Sequence, residues 1–215
     1  MSSFELWHDV VIGAFFLEFL ELKNSAISTE SALSQAVKEI LHTQKTFWVA
    51  VTPAMAGAQG NLQKAGEKAV QQDLIAASTL AESSRTFHMQ LAQQMTSQSS
   101  WMEAKTFLSN LFEELFDLLK GFYLVGELTP QGQTMLLSCA ERASAIITAQ
   151  ALQEKGASSE ALCRREIFLL NEQANTQNIA SSSLADYQQE ITKLLENQII
   201  PVIPALALKL VTQGD

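Results

Sequence analysis

Glu141 and Arg142 are the residues with the clearest potential for chemistry, because they are neighbouring charges in a run of small side chains. The run around them consists of Cys139, Ala140, Ala143, Ser144 and Ala145. Small side chains let a ligand or another backbone approach closely, so a charge among them is informative. Glu141 is therefore a candidate ligand-binding residue, the alternative being a helix-surface glutamate paired with Arg142 or Lys155. Arg142 fits a packing or solvated role as well as a binding role.

Other kinds of site find no support in the sequence. His8, His42 and His88 are scattered without metal-ligand spacing, so we expect no metal site. The chain has no GxSxG motif and no Cys/His arrangement that would indicate a nucleophile. Its isolated glycines form neither a Walker loop nor a dinucleotide fingerprint. We therefore expect no cofactor and assign no catalytic residue.

The charged pair belongs to a helix–turn–helix segment, Leu111–Gly156. Apolar residues recur every three or four positions before Gly126 and again after Pro130, which predicts two amphipathic helices. Thr129 is a good N-cap, and Pro130 at the first helical position has no N–H to satisfy. Gly156 is expected to end the second helix in the left-handed conformation.

Buried strands are predicted on both sides of this segment. Thr46–Val51 is β-branched and aromatic and is ended by a Thr-Pro pair, and Ile199–Ile203 forms a second apolar run. Short strands are also predicted at Ala161–Leu162 and Ile167–Leu170, and a helical stripe at Phe15, Phe16, Phe19 and Leu20. Strands that alternate with helices favour an α/β fold with a mainly parallel sheet.

Three further predictions concern helices and loops. The polar, alanine-rich stretch 63–98 is expected to divide into two helices near Asp73. Residues 171–183 are predicted to be a polar loop, and Ser183 is predicted to cap the helix that follows it.

The composition indicates a folded, acidic protein. The chain has 215 residues, of which 47% are hydrophobic and 17% charged, and its net charge is −9. Such a charge argues against binding to nucleic acid or to an anionic membrane. The apolar stretch 4–22 is interrupted by charges that oppose membrane insertion, namely Glu5, Asp9, Glu18 and Glu21. We expect a cytoplasmic protein whose two cysteines, Cys139 and Cys163, are reduced rather than paired in a disulfide.

Several segments resemble the aspartokinases in order and spacing. Gly126–Pro130 resembles the family's "GELTP" turn, and Leu136–Ala145 resembles its helix start "LLSFGERLSA". Further matches extend the resemblance over roughly residues 45–210: Trp48–Gly57 with "VVVVSAMAG", Leu162–Phe168 with "LDARDFI", and Gln198–Ile203 with "GIIPVVTGFIG". The resemblance implies a helix-rich, three-layer amino-acid-kinase-like lobe with a mainly parallel sheet.

The resemblance also implies roles for individual residues. In the family, the glutamate of that helix holds the ammonium group of the amino-acid substrate, a role that falls here on Glu141. Ala54, Met55, Ala56 and Gly57, in the loop that extends to Gly60, are candidate substrate-binding residues. A plain connection between strand and helix is the favoured alternative for this loop. Residues 1–215 are expected to form a single amino-acid-binding lobe, without the nucleotide-binding lobe or the regulatory domains.

Departures from the family pattern fall on the chemistry. The segment "KFGGTSV", whose lysine and glycine amides contact the phosphates in the family, finds its best match at Leu6–Ile12, with Leu6 at the lysine position. Phosphoryl transfer depends on positioned charges and amides, so this replacement is a severe loss. Other replacements are Ala140 for the glycine before the glutamate, Pro53 for the serine of "VSAMAG", and Ala205 and Leu208 for the glycines of "TGFIG".

Three hypotheses follow from these departures. The first is a catalytically degenerate aspartokinase-like protein that acts as a non-catalytic partner, regulatory or amino-acid-sensing subunit. It would form a homo-oligomer or a complex with a biosynthetic enzyme. The second is a component of an active aspartate kinase whose nucleotide site comes from another chain. The third is a helix-rich scaffold without a ligand.

Overall fold

A five-stranded sheet forms the centre of the molecule. The computed structural model describes residues 4–12, 15–42, 48–169 and 177–212. The strands are β1 (Phe4–Ile12), β2 (Phe15–Leu22), β3 (Trp48–Thr52), β4 (Ser159–Ala161) and β5 (Ile200–Pro204), arranged in the order β1-β2-β3-β5-β4. Strands β2, β3, β5 and β4 are parallel, whereas β1 pairs with β2 in the antiparallel sense. The sheet is therefore mainly parallel, as predicted.

Seven α-helices are assigned among the described residues. They are α1 (Glu30–His42), α2 (Ala58–Val70), α3 (Leu74–Met95), α4 (Gln98–Val125), α5 (Pro130–Glu154), α6 (Gln177–Glu196) and α7 (Ala205–Thr212). Short 3-10 turns cover Asn24–Ile27 and Arg165–Leu169. The predicted division near Asp73 is confirmed, because the Asp73 carboxylate caps α3 by accepting a bond from the Ala76 amide at 3.0 Å.

Two apolar cores cover the two faces of the sheet. Alternate strand residues enter different cores: Leu20 and Ala50 pack with α1 to α5, whereas Phe19 and Val49 pack with α6 and α7. This alternation is the period-2 geometry of a strand buried on both sides. The arrangement of helices, sheet and helices confirms the predicted three-layer α/β fold.

Helix α5 is the most deeply buried helix of the first core, with nearly every residue from Met135 to Leu152 inaccessible. Its ends are those predicted: the Thr129 hydroxyl accepts a hydrogen bond from the Gly132 amide at 3.0 Å, and Pro130 is the first helical residue. Gly126, after α4, and Gly156, after α5, have φ of +73° and +85°. Both values lie in the left-handed region that favours glycine.

The interpretation of residues 15–20 as a helical stripe is wrong, because they form part of β2. A strand buried on both faces has apolar residues at consecutive positions, and over a few residues this pattern resembles a helix face. Residues 167–169 are likewise a 3-10 turn and not a strand, and Leu170 lies outside the described residues.

The predicted start of α6 is also wrong. Helix α6 begins at Gln177, so Ser183 is an internal residue rather than its N-cap. The predicted loop before it falls partly on residues 171–176, which lie outside the described residues.

His88 on α3 is a buried polar group in the helical layer. Its Nδ1 lies 2.7 Å from the Ser84 carbonyl oxygen, and its Nε2 has no hydrogen-bond partner among the described residues. The rings of Phe87 and Phe112 lie 5.6 Å away, centroid to centroid. Burial lowers the pKa of His88 to about 4, and the bond to Ser84 opposes this shift only in part. The imidazole is therefore neutral in the folded protein at neutral pH.

Replacement of Thr129 by alanine is expected to lower the free energy of unfolding by about 1 kcal/mol, because the Gly132 amide loses its acceptor. Urea denaturation checks this value. Thr106→Ala is the matched control, since the Thr106 hydroxyl only bonds back to the Met102 carbonyl within α4. Equal losses in the two variants would contradict the capping role.

His88 is expected to make the protein less stable as the pH falls from about 6.5 towards 4. The unfolded state takes up a proton over this range and the folded state does not, at a cost of up to about 1.4 kcal/mol per pH unit. In His88→Leu this dependence should disappear, whereas His42→Gln, at an exposed position on α1, should retain it. Urea titrations at several pH values measure the difference between each variant and the wild type. An unchanged pH dependence in His88→Leu would disprove the assignment.

Candidate functional site

The carboxyl ends of the parallel strands gather the sequence-predicted site residues at one edge of the sheet. Thr52 of β3 lies opposite Pro204 of β5, and Glu21 of β2 lies opposite Val51 of β3. The loops that follow these strands therefore meet at this edge, which is where open α/β sheets bind their ligands. The amino-terminal half of α5 passes over the same edge and brings Glu141 and Arg142 to it.

Glu141 contacts the segment that follows β5. The residue is only 7% exposed, and its Oε2 accepts a hydrogen bond from the Leu206 amide at 2.7 Å. Leu206 is the second residue of α7, so its N–H is one of those that a helix cannot satisfy internally. Pro204, which precedes the helix, has no side-chain acceptor. Glu141 therefore caps α7 from a position 65 residues earlier in the chain.

Burial sets the ionisation of Glu141. It raises the pKa of the carboxyl to about 7, and the Leu206 amide and Lys209 oppose the shift while Glu21 adds to it. The helix dipole at the start of α7 favours the charged form, whereas removal from water disfavours it. Near neutral pH the two protonation states of Glu141 are therefore close in free energy.

The loop after β3 reaches the same edge. Ala54 and Met55 are buried, whereas Ala56 and Gly57 are exposed. The Asn24 side-chain amide donates to the Ala54 carbonyl at 2.8 Å, which ties the turn after β2 to the loop after β3. Gly57 has φ of +81° and precedes the first residue of α2. The predicted loop is therefore bonded to the turn that follows the neighbouring strand β2.

Arg142 points away from Glu141, because successive side chains on a helix diverge by about 100°. Its Nη1 lies 2.9 Å from Glu114 Oε1 on α4, and its Nε donates to the Cys163 carbonyl at 3.2 Å. Arg165 Nε lies 3.3 Å from the same Glu114 oxygen. The structure therefore brings Glu141 and the Ala54–Gly57 loop to one part of the edge and leaves Arg142 in another.

The match of the phosphate-binding segment to Leu6–Ile12 is wrong. These residues lie in β1, an antiparallel edge strand that leads into another strand and not into a helix. The strand that runs parallel to β3 and precedes α1 is β2, and the turn at its carboxyl end covers Lys23–Ser28. A phosphate-binding turn of an α/β protein lies at such a carboxyl end. Leu6–Ile12 therefore does not occupy the position of such a turn, which lies at Lys23–Ser28.

The sequence interpretation missed four residues that complete this edge: Asn24, Glu114, Arg165 and Leu206. Each acts through a contact that is remote in sequence, such as the Asn24–Ala54 bond, which spans 30 residues. The one available signal was the position of Asn24 two residues after an apolar segment. Arg165 stands within the segment that resembles "LDARDFI", but no feature of that segment predicts its pairing with Glu114.

The described residues can also be examined for a metal site, a disulfide and a membrane-spanning helix. Within the described ranges, no three His, Cys, Asp or Glu residues are grouped so that they could hold a metal ion. Cys139 and Cys163 are free thiols. In the part of the chain that the structure covers, no helix is both long enough and apolar enough to cross a membrane.

Comparison with known proteins finds solved structures whose fold is similar to that of this chain. No protein-family model matches the chain. Escherichia coli aspartokinase III in complex with aspartate and ADP is similar over 85% of this chain, with a TM-score of 0.65 and 13% sequence identity. The same enzyme in complex with lysine and aspartate gives a TM-score of 0.66 at 15% identity, also over 85% of this chain.

The chain spans 39% of the length of those aspartokinase chains. At such low identities the likeness shows the fold alone. The chain therefore has an aspartokinase-like fold, in agreement with the resemblance found in the sequence.

Glu141 is expected to make the folded state less stable as the pH rises from about 4.5 to 7. The folded state binds the carboxyl proton more tightly than the unfolded state over this range, so stability is lost as the proton leaves, at up to about 1.4 kcal/mol per pH unit. Glu141→Gln retains an acceptor for Leu206 but has no such proton. Chemical denaturation from pH 5 to pH 8 should show the variant gaining stability relative to the wild type, and a constant difference would contradict the assignment.

Proposed function

We propose that this chain is a non-catalytic relative of the amino-acid-binding lobe of aspartokinases. It acts in the cytoplasm as a regulatory or amino-acid-sensing subunit, in a homo-oligomer or in a complex with a biosynthetic enzyme. Residues 1–215 form a single lobe in this proposal. Its support comes from the aspartokinase-like fold, together with the contacts at the carboxyl edge of the sheet.

The Glu141–Leu206 contact is the observation that carries this proposal. The carboxylate to which the resemblance assigns a substrate ammonium group is 7% exposed and bonded to the chain's own amide at 2.7 Å. An amino acid would have to replace this bond and uncap α7. Because an uncapped helix end costs on the order of 1 kcal/mol, the internal contact competes directly with substrate. In an enzyme, an internal contact that must be broken before substrate binds weakens substrate binding and does not accelerate the reaction.

The position of Lys23 favours a second candidate function. Lys23 follows the last residue of β2, beside Asn24, which is bonded to the loop after β3. A cation at the carboxyl end of a parallel strand suits contact with phosphate. The second candidate is therefore a component of an active aspartate kinase that transfers phosphate from ATP to the aspartate side-chain carboxylate. Its nucleotide site would be supplied by another chain.

The purified chain is expected to release no ADP from ATP in the presence of aspartate, because the Glu141 carboxylate is held by Leu206. A coupled ADP-release assay measures this directly, and calorimetry with aspartate and then ATP separates binding from turnover. Binding of aspartate alone, lost in Glu141→Gln, supports the sensing form of the proposal.

Glu113→Gln on α4 is the matched control, because Glu113 is an exposed carboxylate on another element. Aspartate-dependent turnover that Glu141→Gln abolishes and Glu113→Gln preserves would overturn the non-catalytic assignment. Such turnover would establish the second candidate instead.

A further inference from the structure

A cleft of about 580 Å³ lies between α4, α5 and the edge strand β4. Helix α4 contributes Phe107 and Glu114, helix α5 contributes Arg142 and Gln150, and the segment 159–164 closes the opposite wall. Its size is within the range of small-molecule sites. Except for Arg142, none of the predicted site residues lines this cleft, and Glu141 and the Ala54–Gly57 loop lie elsewhere at the sheet edge.

Gln150 is an unsatisfied polar group in the wall of this cleft. The residue is 5% exposed, and its Oε1 is buried without a hydrogen-bond partner among the described residues. A buried acceptor without a donor costs about 1–3 kcal/mol, so such groups are rare in native proteins and call for an explanation. The terminal amide of glutamine rotates easily, which lets a donor in the cleft reach it.

Neighbouring side chains on the same face of α5 are satisfied by the edge of the sheet. The Gln153 amide donates to the Ser159 carbonyl at 2.7 Å, and Arg142 Nε donates to the Cys163 carbonyl at 3.2 Å. These bonds close the outer edge of β4 on both sides of Ala161. Gln150 lies between Arg142 and Gln153 on α5 and has no such partner. Its Oε1 is therefore the acceptor on this face of α5 that lacks a donor within the described part of the chain.

The charges around the cleft select the sign of that group. Arg142 lies 2.9 Å from Glu114, which it shares with Arg165 outside the lining, and Arg164 lies 2.6 Å from Glu190, so each guanidinium group of the lining has an acidic partner. The remaining charged groups of the lining are Glu103 and Glu160, because burial raises the pKa of the Cys163 thiol to about 12 and keeps it neutral. Both are exposed, and neither makes an ion pair with another residue in the described ranges. The cleft therefore has excess negative charge at its mouth.

Phe107 adds an apolar surface to the same cleft. Its side chain is 51% exposed, although it lines a concave part of the protein. An aromatic face beside carboxylates is suited to an organic cation, through cation–π attraction and contact with the alkyl body of the ligand. An anion would meet Glu103 and Glu160 instead and be repelled.

We propose that the cleft between α4, α5 and β4 binds an organic cation with N–H donors, namely a guanidinium group. The donor bonds Gln150, the charge is balanced by Glu103 and Glu160, and the body of the ligand lies against Phe107. The group belongs either to a free small molecule or to an arginine side chain of a partner. The site is independent of the proposed function, because it uses neither Glu141 nor the loop after β3.

Calorimetry of the full chain with two probes tests this site: agmatine as a free cation, and N-acetylarginine amide as the side chain of a peptide. We expect saturable binding of at least one probe, weakened by added salt because Glu103 and Glu160 are exposed. The tighter of the two probes identifies the source of the cation. Absence of binding by both probes would overturn the proposal.

Gln150→Leu provides the sharpest variant. It removes the acceptor with little change of volume, so affinity should fall at least tenfold while stability stays equal or rises. Glu160→Gln should weaken binding severalfold, whereas Glu127→Gln, an exposed carboxylate outside the lining, should leave it unchanged. Unaltered affinity in Gln150→Leu, or equal losses in Glu160→Gln and Glu127→Gln, would contradict the site.

Discussion

The hydrogen bond from the Leu206 amide to the Glu141 carboxylate is the constraint on which the carboxyl edge of the sheet depends. It joins the central helix of one layer to the first turn of α7 in the other, across the end of β5. A carboxylate at a helix N-terminus satisfies an amide and interacts favourably with the helix dipole. Burial opposes both effects, and the balance raises the pKa of Glu141 to about 7.

Helix α5 contributes polar side chains to two separate parts of the structure, because it is buried on nearly all sides. Glu141 faces β5 and α7, whereas Arg142, the next residue, faces Glu114 of α4 and the carbonyl that follows β4. A buried charged side chain needs a hydrogen-bonding or ionic partner. Glu141 has its partner in the layer of α7, and Arg142 has its partner in the layer of α4. The same helix carries Gln150, whose oxygen has not. The bonds of Glu141 and Arg142 therefore stabilise the fold, whereas the unpaired oxygen of Gln150 lowers its stability.

The sequence was sufficient where the signal is local. The Thr129–Pro130 start of α5, the glycine at its end and the buried strand β3 each depend on residues a few positions apart, and all three were predicted correctly. Strand β2 was misread, because apolar residues on both of its faces remove the alternation that identifies a strand.

The site could be predicted only in part. Small neighbours singled out Glu141 and Arg142, yet their partners lie 65 and 28 residues away in sequence, and no periodicity encodes such pairs. The parallel order of β2, β3 and β5 is what brings Asn24, Ala54 and Leu206 together. The orphaned oxygen of Gln150 could not be foreseen either, because an unsatisfied atom is recognised only once all its neighbours are known.

The most direct test of the Glu141–Leu206 hydrogen bond is an NMR titration of the Leu206 amide, in the wild type and in Glu141→Gln. If Glu141 holds α7, the amide shift follows a titration with a midpoint near pH 7 that is absent from the variant. An amide shift that does not respond to the ionisation of Glu141, or one that titrates equally in Glu141→Gln, would contradict the claim that this carboxylate holds the start of α7.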